Sequence, residues 1–181
     1  MLQHAYTSLG IVLARRNYSE ADRIVVIFSK NFGKISLIAK GVRKPKSKKR
    51  GSIEIFNIVK FSASKTKSID IMTESIQIES FIDIKKDLKK VAVAYYLMEV
   101  IGRITVENEA HDEIYELMVK YLNLLKSGDN LKDLRQNFIY EVLTNLGFWP
   151  RGKTITNPDR VIEDIVERKM NSARVGRRML S

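Results

Sequence analysis

The spacing of apolar residues changes near residue 80 of this 181-residue chain. Before that point, short runs rich in Ile, Val and Phe alternate with polar residues, a pattern typical of half-buried β-strands. After Phe81, apolar residues recur every three or four positions, as they do in helices that bury one face. The change predicts an α+β protein with a β domain over residues 1–80 and an α-helical domain over residues 81–181.

The first 80 residues contain five predicted strands, separated by polar or Gly-containing segments. The fourth and fifth strands each shift their apolar face by one residue part-way along, which is typical of a β-bulge or a strong bend. Five short, coiled strands in so few residues favour a small closed barrel over a flat sheet. The strands are predicted at Tyr6–Arg15, Arg23–Ser29, Lys34–Ala39, Ile53 to about Ser64, and Ile69 to about Glu79.

Four helices are predicted after Phe81. The first, from Asp83 to about Glu107, is apolar nearly all round at its centre and is expected to form the core of a bundle. The second presents one apolar stripe from Ile114 to Leu125. Asn130 is expected to cap the third helix and Gly147 to end it, and the pair Asn157-Pro158 is expected to begin the fourth.

Positive charge is concentrated near the start of the chain. The net charge is +11, and residues 1–80 contribute +9, residues 81–150 contribute −2 and residues 151–181 contribute +4. Seven of the 11 residues from Lys40 to Arg50 are basic, on a predicted loop between the third and fourth strands. Concentrated Lys and Arg favour binding to a phosphate backbone, because each contact releases counterions. The alternative is a loop that is merely solvated.

Basic residues of the adjacent strands are predicted to extend this loop into a nucleic-acid-binding surface. A small barrel with basic loops is a common platform for single strands, whose bases stack on aromatic side chains. Tyr18 and Phe32 are the stacking candidates, whereas Phe28 and Phe61 lie in apolar runs and are predicted to be core residues. The candidate binding residues are Arg15, Arg16, Arg23, Lys34, Lys40, Arg43, Lys44, Lys46, Lys48, Lys49 and Arg50.

Several classes of function are excluded or disfavoured by composition. The chain has no Cys, which removes disulfides, thiolate nucleophiles and cysteine zinc sites, and it has only two His. No convincing catalytic constellation can be assembled, so we expect a protein that is not an enzyme and needs no metal or cofactor. The apolar run Val91–Ile101 is too short to span a membrane, and no targeting segment is visible. We therefore expect a cytoplasmic protein without membrane contacts.

Motifs over roughly residues 5–150 resemble the bacterial RecO family of recombination mediators. They include Tyr18-Ser-Glu-Ala-Asp-Arg-Ile-Val25, Gly33-Lys-Ile35 and Ala39-Lys-Gly-Val-Arg-Lys-Pro-Lys-Ser47. Ala94-Tyr-Tyr-Leu-Met-Glu99 and Asn145-Leu-Gly-Phe-Trp-Pro150 resemble signatures of the family's helical domain. Arg23, Lys40, Arg43, Lys44 and Lys46 fall on the motif itself, whereas Lys48, Lys49 and Arg50 are candidates by charge alone.

The resemblance implies an OB-fold barrel followed by a helical domain. It also implies binding to single- and double-stranded DNA, annealing of complementary strands, and nucleoid association. Expected partners are RecR and single-stranded-DNA-binding protein (SSB), which is displaced so that RecA can load. Many family members carry a four-cysteine zinc site after the Leu-Gly-x-x-Pro stretch, but here there is no Cys and 31 residues follow Pro150. The zinc site is therefore excluded by ligand count.

Two other functions are consistent with the same charge and fold. One is an RNA-binding OB-fold protein of the translation machinery, and the other is an interaction module whose basic loop meets an acidic protein. The basic segment Arg174–Arg178 could add phosphate contacts, contact an acidic partner, or be a frayed chain end.

Overall fold

The computed structural model describes residues 5–166 and begins with five strands, β1 (Ala5–Asn17), β2 (Arg23–Ser29), β3 (Gly33–Ala39), β4 (Ile58–Ser64) and β5 (Asp70–Glu79). They close into a barrel in the order β1-β2-β3-β5-β4, with β4 pairing back onto β1. Neighbouring strands are antiparallel except β3 and β5, which are parallel at Leu37–Asp70 and Ile38–Ile71. The predicted α+β class, with a five-stranded OB-type sheet before the helices, is confirmed.

The helices are α1 (Ile82–Lys85), α2 (Leu88–Ile104), α3 (Asp112–Ser127), α4 (Leu131–Asn145) and α5 (Pro158–Val166). The chain forms two compact units. Of the described residues, the barrel unit comprises 5–80 together with Thr105–Asp112. The helical unit comprises Phe81–Ile104 and 113–166. The segment between α2 and α3 thus belongs to the barrel unit, although it lies between two helices in sequence.

The barrel core follows directly from strand alternation. Along β3, every second side chain from Gly33 to Ala39 is buried, as a period of two requires. The inward side chains of all five strands meet in one apolar cluster. Its members from the strands include Val12, Val25, Ile27, Ile35, Leu37, Val59, Phe61 and Met72.

The fourth strand begins later than its apolar pattern predicts. The predicted start at Ile53 is wrong, since the strand begins at Ile58 and the preceding residues form turns. Ile53 and Phe56 are nevertheless buried, and Phe56 adopts a left-handed conformation with φ 58°. A folded loop that buries its apolar side chains can therefore have the same sequence pattern as a strand.

The predicted irregularity of the fifth strand is confirmed. In its pairing with β4, the register shifts between Ile58 and Val59 and again between Ser62 and Ala63. Each shift leaves an additional residue on β5, first Ile78 and then Thr73, which is the arrangement of a β-bulge. Bulges increase the bend of a strand, as closure of a small barrel requires.

The first predicted helix is divided into α1 and α2. Lys86 and Asp87 separate them, and the Asp87 carboxylate accepts hydrogen bonds from the backbone N–H groups of Lys89 (2.8 Å) and Lys90 (3.4 Å). It therefore caps α2, as a short polar side chain before a helix commonly does. The helix ends at Ile104, before the predicted Glu107.

The predicted stripe and caps of the later helices are confirmed. The residues of the predicted α3 stripe are all buried, namely Ile114, Leu117, Met118, Tyr121, Leu122 and Leu125. Asn130 accepts a hydrogen bond from the backbone N–H of Asp133 at 3.2 Å. Asn157 likewise caps α5 by accepting from Arg160 N–H at 3.2 Å. Gly147 has φ 78°, and Phe148 N–H donates to Leu143 O at 2.8 Å, which completes a Schellman motif.

A close approach at Gly33 joins the segment 105–112 to the barrel. Asn108 N–H donates to Lys34 O at 2.9 Å, and Glu107 forms a parallel bridge with Lys34. Gly33 has φ 66°, and a Cβ placed there would lie 1.8 Å from the carbonyl oxygen of Glu109. Only glycine fits this position without displacing backbone.

We expect Gly33→Ala to lower the free energy of unfolding by at least about 2 kcal/mol, because backbone strain and backbone overlap act together. The measurement is the urea midpoint of the barrel's unfolding. Gly51→Ala is the matched control, since no atom lies within 4 Å of the added Cβ. Its change should stay within about 0.5 kcal/mol. Equal midpoints for the two variants would contradict the assigned packing.

Candidate nucleic-acid interface

The segment Lys40–Arg50, here called the basic loop, is folded as successive turns rather than as an open excursion. Backbone N–H groups of Lys44 and Ser47 donate to the carbonyls of Gly41 (3.1 Å) and Lys44 (3.0 Å). Two fully buried side chains, Val42 within the loop and Ile53 just after it, belong to the barrel core. The position of the loop is therefore set by the same cluster that holds the strands together.

The start of the basic loop is fixed to the turn that joins β1 and β2. Gly41 N–H donates to the Asp22 carboxylate at 2.8 Å. Arg43 makes two contacts with the same turn, from its N–H to Ala21 O and from its guanidinium Nη1 to Ser19 O, both at 2.9 Å. These three hydrogen bonds hold the two turns side by side.

The end of the loop region is fixed to β5. The Ser52 hydroxyl donates to the Ser75 hydroxyl at 2.8 Å. Fully buried Asn57 donates from Nδ2 to Gly51 O and Ser52 O at 3.1 Å and to Gln77 Oε1 at 3.3 Å. Sequence reasoning missed Asn57, and it placed Asp22 in the family motif without assigning it a role in fixing the loop.

Most of the candidate cations lie exposed on or beside the basic loop. Burial lowers the pKa of Arg23, and the nearby charges of Arg15, Arg43 and Arg50 lower it further, while Glu54 opposes them. The four guanidinium groups thus share one region of the barrel surface. The exposed candidates are Arg16, Lys40, Arg43, Lys44, Lys46, Lys48 and Arg50.

Two candidates in this region already have protein partners. Arg15 forms an ion pair with Glu54, with 2.6 Å between Nη1 and Oε1. Lys49 is half-buried and donates from Nζ to Met72 O at 3.2 Å. Burial lowers its pKa, and Asp22 opposes that shift. These two side chains therefore stabilise the loop region through contacts within the protein, and they are less available for phosphate than the exposed cations.

Lys34 is not brought together with the other candidates. It lies at the opposite end of β3 from Lys40, about 20 Å away at the usual rise per residue of a strand. Its Nζ donates to Thr105 O at 2.6 Å, and Glu107 is nearby. Lys34 is a sequence candidate because it is basic and lies on a strand next to the loop, but the barrel places it beside an acidic segment instead.

The aromatic residues considered for base stacking differ in their exposure to solvent. Phe28 and Phe61 are buried, as predicted. Phe32 packs against the core, and its ring centroid lies 4.7 Å from that of Tyr6 in an edge-to-face arrangement. Tyr18 is 58% exposed in the turn that holds the basic loop. Of the two predicted stacking candidates, Tyr18 is therefore the one whose ring is largely exposed beside the basic loop.

Among residues 5–166, no group of three or more His, Asp or Glu side chains is arranged to hold a metal ion. Within this range, no helix has the length and apolarity needed to cross a membrane. The predicted basic segment Arg174–Arg178 lies outside the described residues.

Comparison with known proteins agrees with the motifs. A family model described as "Recombination protein O N terminal" matches residues 1–81, and one described as "Recombination protein O C terminal" matches residues 85–153. The DNA repair protein RecO of Acetivibrio thermocellus is 34% identical over 142 residues, which are 78% of this chain and 57% of that protein. The corresponding protein of Desulfitobacterium hafniense is 32% identical over 146 residues, 81% and 53% of the two chains.

A third relative, the DNA repair protein RecO of Listeria monocytogenes, is 30% identical over 141 residues, 78% of this chain and 55% of that protein. The chain therefore spans a little over half the length of the curated relatives that it matches. The similarity covers both the barrel and most of the helical unit.

Proposed function

Because this chain belongs to the RecO family, we propose that it is a DNA-binding recombination mediator of DNA repair. The observation that carries the proposal is the basic loop, whose exposed cations are held on the barrel by buried side chains and hydrogen bonds. A surface fixed in this way binds phosphates without first being ordered, so less conformational entropy is lost on binding. The activity is one of binding rather than of bond making.

Strand annealing is the expected consequence of such binding. Two complementary strands repel each other through their phosphates, and cations that neutralise both strands reduce that repulsion. Contacts to phosphate carry no sequence information, so the surface would accept single and double strands of any sequence. The exposed ring of Tyr18 adds a sequence-tolerant stacking contact for single strands.

The helical unit is proposed to dock the protein partners of the reaction. Exposed apolar side chains on this unit, including Leu88, Tyr95, Leu124 and Phe148, are of the type found in interface cores. We propose RecR and SSB as these partners, with loading of RecA as the outcome, at the nucleoid of a bacterial cytoplasm.

The test is fluorescence annealing of complementary single strands, bare and coated with SSB, with and without RecR. We expect this protein to accelerate annealing of bare strands, and of coated strands when RecR is present. Acceleration on bare strands alone would remove the proposed partner role. No acceleration on either substrate would overturn the mediator function.

Competition between matched DNA and RNA strands separates this function from its two alternatives. Phosphate contacts do not distinguish the two polymers, whereas a reader of the 2′-hydroxyl prefers RNA. We expect comparable affinities, within a few fold, or a preference for DNA. A strong preference for RNA would favour a role in translation, and no binding to either would favour an acidic protein as the partner.

A further inference from the structure

An acidic side chain lies among the cations of the basic loop. The carboxylate of Asp22 is close enough to Lys40, Lys44 and Lys49 to interact electrostatically with all three. A negative charge in this position weakens the attraction of the surface for phosphate. We therefore expect Asp22 to have a structural role that offsets this loss of attraction.

The role is visible in the hydrogen bonds of the turn. Asp22 accepts from Gly41 N–H at 2.8 Å, two residues after the end of β3, and Gly41 adopts φ 65°. This hydrogen bond is the main cause that lowers the pKa of Asp22, with further contributions from Ser19, Lys40 and Lys44. The carboxylate is consequently ionised at neutral pH.

The neighbouring contacts depend on the same junction. Arg43 N–H donates to Ala21 O at 2.9 Å, and its guanidinium reaches Ser19 O at the same distance. Val42, between Gly41 and Arg43, is fully buried in the barrel core. The direction in which Lys40, Arg43 and Lys44 leave the barrel is therefore set at the contact between Asp22 and Gly41.

We propose that Asp22 is a positioning residue for phosphate binding, whose carboxylate fixes the entrance of the basic loop while partly neutralising it. The inference rests on the proposed DNA-binding function of this surface. Fixing the loop favours phosphate binding, whereas the negative charge opposes it, so variants that separate the two effects should differ in affinity.

Asp22→Asn and Asp22→Ala raise the net charge equally, but only the amide keeps an oxygen that can accept from Gly41. We expect Asp22→Asn to bind a fluorescent single strand roughly two- to fivefold more tightly than wild type at 0.1 M salt, since one opposing charge is gone. We expect Asp22→Ala to bind no more tightly than wild type, because the loop entrance is released.

Amide hydrogen exchange at Gly41 and Arg43 supplies a readout that does not depend on DNA. Exchange is expected to quicken in Asp22→Ala and to stay near wild type in Asp22→Asn. Glu20→Gln and Glu20→Ala are the matched controls, because Glu20 is an exposed acid in the same turn. This control pair should have equal affinities and unchanged exchange at Gly41.

Equal affinities of Asp22→Asn and Asp22→Ala, both tighter than wild type, would overturn the positioning role and leave only the charge. Unchanged exchange at Gly41 in Asp22→Ala would overturn it as well. Absence of DNA binding by the wild type would instead overturn the proposed function, and the exchange measurement would still decide whether Asp22 fixes the loop.

Discussion

Replacing Lys44, Lys46, Lys48 and Arg50 together by Glu is expected to reduce affinity for a single strand by on the order of a hundredfold or more at 0.1 M salt. All four side chains are exposed on the basic loop. Each phosphate contact with a single strand contributes about 0.7 to the slope of log K against log salt. Loss of four contacts should therefore reduce the magnitude of that slope by about 3.

The measurement is fluorescence anisotropy of a labelled oligonucleotide over a range of salt concentrations. Lys49 is left unchanged, because its contact with Met72 O makes it part of the folded barrel. The control carries the same number of charge reversals at exposed lysines outside the loop, namely Lys67, Lys86, Lys89 and Lys132.

The control should lose affinity only through the change in net charge and should keep most of the wild-type slope. Circular dichroism of both variants verifies that they fold. An affinity and slope equal to wild type in the loop variant would remove the basic loop from the binding surface. Equal losses in the loop variant and the control would assign binding to net charge alone.

The second large effect concerns a buried charge network in the helical unit. The guanidinium of Arg135 on α4 donates to the Asp159 carboxylate on α5, and both side chains are nearly buried. Arg135 also lies over the ring of Tyr96 on α2, 4.0 Å from its centroid. The Tyr96 hydroxyl donates to Asp159 Oδ1 at 2.7 Å. Three helices thus meet at one ion pair.

We expect Asp159→Asn to lower the free energy of unfolding by about 3–5 kcal/mol, because it leaves the buried charge of Arg135 without its counter-ion. The amide still offers an oxygen to the Tyr96 hydroxyl, so the loss reports mainly the broken charge pair. The measurement is urea denaturation followed by circular dichroism at 222 nm, where helices dominate the signal.

Adding Arg135→Met to Asp159→Asn should recover at least half of that loss, since replacing both charges of a buried pair is often nearly neutral. The Nε atom of Arg135 is buried without a hydrogen-bond partner, so Arg135→Met also removes an unsatisfied polar atom. A double variant as unstable as Asp159→Asn would show that the pair is not the origin of the loss.

Much of the fold could be predicted from residue periodicity, and the misses have physical causes. The second strand, for example, has its predicted bounds, Arg23–Ser29, because its continuous apolar run from Ile24 to Phe28 follows a polar stretch and ends at a turn. The apolar pattern places Ile53 in a strand, but the residue lies in a folded loop that buries its side chain as fully as a sheet does. Local periodicity cannot distinguish the two sources of burial.

The candidate site was predictable where it depends on local charge and not where it depends on the fold. The basic loop is visible as a run of Lys and Arg. Lys34 is a candidate because it is basic and lies on an adjacent strand, but it lies at the opposite end of β3 from the loop. The hydrogen bonds of Asp22 to Gly41 and of Asn57 to Gln77 join residues about 20 positions apart. Such pairs come together only when the barrel closes.

The position of DNA on this protein is measured most directly by backbone amide chemical shifts during titration with a short oligothymidine. We predict that the largest shifts fall in residues 18–23 and 40–50, in fast exchange at high salt and with tighter binding as salt is lowered. Shifts confined to the helical unit or to residues 105–112, with the basic loop unchanged, would contradict the proposal that DNA binds on the barrel through this loop.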